Sequence, residues 1–166
     1  IAPCTATCPA HTDIPGYIEH IKYGRFQASL ELIRETDCMP GSLGRACYAP
    51  CESTCRRTNV DETINIRLLK RFVYDQELQY QRDRDYQHFQ SKNALGPVAI
   101  IGAGFAGLAC ADNLAQKGIA STIFEMYDRP GGMATWGIPD YRLPPAVIDD
   151  EVEKVKMELL RVKFDE

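Results

Sequence analysis

The chain has 166 residues, 45% of them hydrophobic and 25% charged, with a net charge of −4, a composition that suits one or two globular domains with a sizeable core. That slightly acidic balance gives no electrostatic reason to expect nucleic acid or an anionic membrane as a partner. The longest uncharged run, residues 94–111, is broken by four glycines and a proline and falls short of the roughly 20 residues a spanning helix needs, and no signal peptide is visible. With Ile1 rather than Met at its start, the chain is expected to lack its natural N-terminus.

Seven cysteines are many for such a composition, and six of them, Cys4, Cys8, Cys38, Cys47, Cys51 and Cys55, lie in the first third. Cys4-Thr-Ala-Thr-Cys8-Pro9 is a C-x3-C-P element. Asp13 reads as the N-cap of a short helix with Pro15 in its first turn, ending near Gly24, with Tyr17, Ile18 and Ile21 on one face. A second helix is predicted over 25–36, with Phe26, Leu30 and Ile33 at helical spacing. Residues 38–44, with Pro40, Gly41 and Gly44, read as its break.

Cys47, Cys51 and Cys55 follow at steps of four. Such steps advance about 400° round a helix. Pro50 rules out one continuous helix, but a turn followed by a helix from Cys51 would keep Cys51 and Cys55 on one face. A third, longer helix is predicted after Asp61, with Ile64, Leu68, Leu69, Phe72 and Val73 inward. Residues 75–93 turn polar, as a solvated helix end running into a linker would, and the domain boundary is placed near 91–96. This divides the chain into 1–93 and 94–166.

Val98-Ala-Ile-Ile101 leads through Gly102-Ala103-Gly104-Phe105-Ala106-Gly107 into an alanine- and leucine-rich segment, which reads as strand, tight turn and helix. Gly102 would make the turn, Gly104 would let a pyrophosphate reach bare backbone, and Gly107 would let helix and strand pack closely. The helix N-terminus offers free N–H groups and a positive dipole end to that phosphate. Residues 121–125 form a second strand ending in Glu125, 18 residues beyond Gly107, where an acid binds the ribose of an adenosine. A small-residue turn follows, from Asp128 through Gly131, Gly132 and Met133, then an irregular stretch from Trp136 to Pro144. A final amphipathic helix is predicted over 145–160, with Val147, Val155 and Leu159 among its apolar positions.

Clustered cysteines beside a nucleotide-binding half, without a secretory signal, point to metal rather than disulfides. Five of them, Cys4, Cys8, Cys47, Cys51 and Cys55, could close one four-iron cluster with one thiolate left over. Zinc takes the same ligands, but its sites favour C-x2-C knuckles and this stretch has only C-x3-C steps. Cys38 and Cys110 read as packing residues, Cys110 because its helix must cover the sheet. His11, His20 and His88 have no metal-ligand spacing, and no Ser/His/Asp or Cys/His set offers an acid, base or nucleophile.

Together these motifs resemble a known family. Cys4-x3-Cys8-Pro9, Ile14-Pro-Gly-Tyr-Ile18, Gly24-Arg-Phe26, Gly44-Arg-Ala-Cys47, Cys51-Glu-x2-Cys55-Arg-Arg57 and Leu69-Lys-Arg-Phe72 are similar to the N-terminal iron–sulfur domain of the small subunit of NADPH-dependent glutamate synthase. The glycine motif, Gly131-Gly-Met133 and the residues from Gly137 to Pro144 resemble the flavin domain that follows it, a module also found in dihydropyrimidine dehydrogenase. The resemblance implies an α-helical, ferredoxin-like iron–sulfur domain followed by part of an α/β Rossmann-like FAD domain. It implies FAD, one or two 4Fe-4S clusters, NAD(P)H in the full-length protein, a larger catalytic redox subunit as partner, and a cytoplasmic setting. Carried over, Gly102 to Ala106 hold the FAD pyrophosphate, Glu125 the ribose, the turn from Tyr127 to Met133 the rest of FAD, and Arg142 a polar contact. The ligands carried over are Cys4, Cys8, Cys47, Cys51 and Cys55. Many relatives carry a further C-x2-C upstream that serves a second cluster, and they continue into an NAD(P)H-binding insertion. A glutamine ligand in dihydropyrimidine dehydrogenase aligns with Lys70, a cation unsuited to ligating iron, so the fourth ligand stays open. The alternatives are a non-catalytic electron-relay or assembly subunit and, more distantly, an NAD-dependent dehydrogenase with structural zinc.

Overall fold

The computed structural model describes residues 1–80, 98–157 and 160–164. It divides into two compact units, 1–83 and 84–166. The expected boundary near 91–96, the polar stretch from residue 81 onward and His88 lie outside the described residues.

The first unit is helical. Its elements are α1 (Pro3–Thr7), α2 (Ile14–Lys22), α3 (Phe26–Arg34), α4 (Pro40–Ala46), α5 (Pro50–Ser53), a 3-10 turn (Arg56–Asn59) and α6 (Ile66–Tyr80). Asp13 caps α2 as its sequence position suggested: its Oδ1 accepts the Gly16 N–H at 3.2 Å. Asp13→Ala is therefore expected to cost about 1 kcal/mol, read as a lowered urea midpoint with unchanged slope. The core gathers Ile14, Tyr17, Ile33, Ala49, Cys51 and Ile66. Tyr17, 1% exposed, ties three helices together, because its hydroxyl donates to Ile66 O at 3.0 Å and its carbonyl accepts from Ser29 Oγ at 2.9 Å.

Two expectations for this unit fail, in whole or in part. Residues 38–44 do not simply break the chain, because Pro40 starts α4, where a missing N–H costs nothing. Its glycines are there for closeness: a Cβ on Gly41 would lie 2.4 Å from the Tyr74 ring, and one on Gly44 2.9 Å from Arg71 Cα. Small residues thus seat α4 on α6. The inward face of α6 also differs in part from the one expected. Leu68 and Phe72 are exposed, Phe72 meeting Phe26 edge-on at 5.3 Å. Val73 is buried as expected, joined by Ile66, Tyr74 and Glu77, while Ile64 and Leu69 are partly buried against the core. The polar members of that face are paired, Arg34 gripping Glu77 through two bonds of 2.8 and 2.7 Å.

The second unit runs β1 (Val98–Ile101), α7 (Phe105–Gln116), β2 (Ser121–Glu125), α8 (Met133–Gly137), α9 (Pro145–Met157) and β3 (Leu160–Phe164). Strand, turn, helix and strand fall where the glycine pattern put them. β1 pairs parallel with β2 from Val98↔Ser121 to Ile101↔Phe124. The end differs from expectation. The last helix stops at Met157, and 160–164 form β3, which adds parallel to β2 from Ser121↔Leu160. The described sheet order is therefore β1-β2-β3. Leu159 lies outside the described residues. Val147, Ile148, Val152 and Val155 form the buried side of α9. No helix among the described residues is long and apolar enough to cross a membrane.

Candidate metal and nucleotide sites

None of the seven cysteines is in a disulfide. Cys8, Cys47 and Cys51 line one pocket, with Ile66, Arg67 and Lys70 among its other walls. Three segments bring them there. Cys8 follows α1, Cys47 ends α4, and Cys51 lies in α5, beyond a left-handed turn at Ala49 whose φ is +56°. That turn brings the Ala49 N–H back onto Cys47 Sγ at 3.3 Å. Cys4 packs with Cys8 against the same core.

Cys55 does not share a helix face with Cys51. α5 ends at Ser53 and Cys55 is extended, with φ −66° and ψ 121°. Its sulfur is held by the N–H of Ile64 first, and also by the Arg57 N–H and the Thr63 hydroxyl, which keep the thiol below its ordinary pKa. Cys55 is not among the residues that line the pocket of Cys8, Cys47 and Cys51. The reason is local: Glu52 Oε1 accepts the Arg67 N–H at 2.9 Å and its carbonyl accepts from Thr63 Oγ1, so α5 is fastened to the entry of α6 and closes after one turn.

The donor set fits an iron–sulfur cluster. Burial pushes the Cys51 thiol up to about 11, with negative charge at Cys8, Glu52 and Cys47 adding to the rise. Burial raises the Tyr17 hydroxyl too, with Cys51, Cys8 and Cys4 contributing. Thiols crowded where negative charge is disfavoured call for a cationic core. Among the described residues no three His, Cys, Asp or Glu side chains are placed to hold one metal ion. A single zinc needs every sulfur about 2.3 Å from one centre, whereas a cluster meets several thiolates round a cavity.

In the second unit the three glycines differ in what they permit. Gly102 has φ +92° with nothing near its missing Cβ, so it serves the turn. A Cβ on Gly107 would fall 2.0 Å from Gly102 O. Gly104 has ordinary backbone angles, and its nearest obstacle is Gly132 Cα at 3.9 Å. Space for a side chain stands open there, as a phosphate cradle requires. The Leu108 N–H donates to Gly104 O at 2.9 Å, so the amides of Phe105, Ala106 and Gly107 precede the intrahelical ladder. Ala103 is fully buried; its N–H donates to Glu125 Oε2 at 2.6 Å and its carbonyl accepts from Gly131 N at 2.7 Å. Ala103 thus fixes the loop instead of offering an amide to phosphate.

Glu125 is buried and holds two loops at once, because its Oε1 accepts the Tyr127 N–H at 3.0 Å. Each carboxylate oxygen keeps a lone pair for a ribose hydroxyl. Gly131 and Gly132 both have positive φ, and Gly131 bridges to Gly104 strand-fashion. Tyr127 stands half exposed against Trp136, centroids 5.7 Å apart, while Met133 and Arg142 are exposed. Cys110, expected to pack on the sheet, is exposed: α7 buries Leu108, Ala111, Asp112 and Ala115 instead.

Residues 1–82 match the family described as dihydropyrimidine dehydrogenase domain II, 4Fe-4S cluster, and residues 100–148 match the NAD(P)-binding Rossmann-like domain. The NADP(+)-dependent formate dehydrogenase subunit beta of Moorella thermoacetica is 45% identical over 175 residues, 93% of this chain and 25% of that subunit. The chain is thus similar to that oxidoreductase subunit over nearly its own whole length. The NADPH-Fe(3+) oxidoreductase subunit beta of Geobacter sulfurreducens is 43% identical over 166 residues, 99% of this chain and 24% of that subunit. The NAD-dependent dihydropyrimidine dehydrogenase subunit PreT of Escherichia coli is 39% identical over 158 residues, 93% of this chain and 37% of its own length. The chain thus spans about a quarter to a third of these relatives. The resemblance drawn from the cysteine and glycine motifs holds, and so does the order of the two folds.

Sequence reasoning placed Tyr17 on a helix face but not beside the thiols whose pocket it helps to line. It singled out Lys70 only by alignment. Lys70 was findable by period, since it sits four residues after Ile66 and before Tyr74 on the inward stripe of α6.

Proposed function

We propose that this chain is the electron-passing region of an NAD(P)H-linked flavin and iron–sulfur oxidoreductase that works with a larger catalytic subunit. The reading rests above all on one observation, the pocket walled by Cys8, Cys47 and Cys51. These three thiols are the proposed ligands of a four-iron cluster, whose chemistry is one-electron transfer. Cys4 and Cys55 are assigned to a second cluster with its other ligands outside the described residues. In support, Thr54 beside Cys55 donates to Thr7 Oγ1 at 3.2 Å, linking that segment to the helix of Cys4. In the second unit FAD is the proposed occupant: pyrophosphate on the loop from Gly102 to Ala106 and the start of α7, ribose on Glu125, and the remainder along Tyr127, Gly131, Gly132 and Met133, with Arg142 as a polar contact. NAD(P)H binding is assigned to the full-length protein. A cytoplasmic setting is proposed with it, because cysteines that bind metal must stay reduced.

Iron, acid-labile sulfide and flavin should be measured on full-length protein purified without oxygen. About four irons and four sulfides per cluster with one flavin support the proposal; equimolar zinc without sulfide ends it. Gly104→Ala adds a flavin-specific test. Its backbone angles and surroundings accept a methyl group, so stability should stay unchanged. Flavin affinity should fall by about tenfold or more, a penalty of about 1.4 kcal/mol or more from a methyl in the phosphate's place. Unchanged affinity would move the pyrophosphate elsewhere.

A further inference from the structure

The cysteine pocket has one wall of opposite charge. Lys70 lines it together with Cys8, Cys47 and Cys51. Its Nζ donates to Asp37 Oδ2 at 2.8 Å, and the two side chains are only 15% and 2% exposed. Asp37 is itself anchored, since its Oδ1 accepts the Met39 N–H at 3.0 Å at the start of α4. Asp37 is not part of the pocket wall. The pair is therefore a buried dipole whose positive partner, and not its negative one, lines the thiol pocket. The other cation on the wall, Arg67, is engaged along the rim, donating to Cys47 O at 2.8 Å.

An ammonium committed to a buried carboxylate has no lone pair for iron. Resting on the cluster reading of this pocket, we propose that Lys70 is not the missing fourth ligand but a positioning residue that raises the reduction potential of the cluster held by Cys8, Cys47 and Cys51. Asp37 sets how much of that charge the cluster feels. Reduction adds one electron, transfers no atom, and leaves one more negative charge beside the thiolates. A fixed cation favours that state, and a low local dielectric strengthens the effect. Charge and solvent exposure around a cluster are known levers on its potential.

The test is a dithionite titration of the full-length holoprotein, followed by electron paramagnetic resonance. Lys70→Met should lower the reduced-to-oxidised ratio of this cluster at a fixed potential by about tenfold, 59 mV for a one-electron couple. Lys70→Arg should restore it. Asp37→Asn, which still accepts from Met39 but no longer neutralises the ammonium, should raise it. Opposite signs from the two partners are what a merely structural pair would not produce. If Lys70→Met folds poorly with Asp37 left unpaired, the double variant compared with Asp37→Asn reads the same charge, and the ratio should again fall. An unchanged ratio with the cluster intact overturns the inference alone. So does a nitrogen hyperfine coupling that Lys70→Met abolishes, which would place Nζ on iron. Iron content indifferent to Cys51 overturns the cluster reading itself and this inference with it.

Discussion

Cys51→Ala is expected to strip the pocket of its iron and acid-labile sulfide, a loss of about four of each per chain, with little change in the fold of the metal-free protein. Cys51 is 7% exposed and touches the core of Ile14, Tyr17, Ile33 and Ile66, so alanine removes one sulfur's worth of packing, about 1 kcal/mol. The chemistry loses far more. With Cys51 gone, only Cys8 and Cys47 of the three lining thiols remain, and two thiolates do not hold a four-iron core. The loaded wild type should also outlast the variant on heating, because a group that binds only the folded state adds its binding free energy to stability. Cys110→Ala is the control. That thiol faces solvent on α7, and iron content should not change. Equal loss from both variants would mean that the iron is not seated in this pocket.

Gly107→Ala is expected to destabilise the nucleotide-binding unit by about 3 kcal/mol, the upper range for overpacking a tight contact. The new methyl would sit 2.0 Å from the Gly102 carbonyl oxygen and 3.4 Å from Ile100 Cγ2. Backbone cannot swing aside as a side chain can. Gly102 is committed to φ +92° and donates its N–H to Phe124 O at 2.7 Å, so relief requires α7 to lift from β1. Denaturant unfolding followed by flavin fluorescence reads the loss. Gly104→Ala, three residues away, should be neutral in the same measurement. A neutral Gly107→Ala would show that the helix-to-strand contact is looser than 2.0 Å implies.

The nucleotide half was legible because its signals are local. Turn, helix start and strand end are set by residues within a few positions of one another, and Gly102, Gly104 and Gly107 act at short range. What stayed hidden there was the addition of β3, whose pairing with β2 is a contact between residues 121–125 and 160–164. Hidden too was Glu125 as the clamp between two glycine loops. In the helical half, glycines in 38–44 read as breakers, since propensity counts only the helix that carries them. Against Tyr74 and Arg71 their lack of a side chain is what lets α4 approach.

The amino-acid order alone determined that thiols crowd the front of the chain, that a dinucleotide turn follows, and which residue types each chemistry would use. Only the tertiary structure decided which thiols share a pocket. Spacing by four places cysteines on one face only while a helix continues, and α5 ends before Cys55. Cys8, Cys47 and Cys51 meet, with Lys70 on the wall beside them, because helices far apart in sequence pack on one core. Burial, which no local pattern encodes, selects those neighbours.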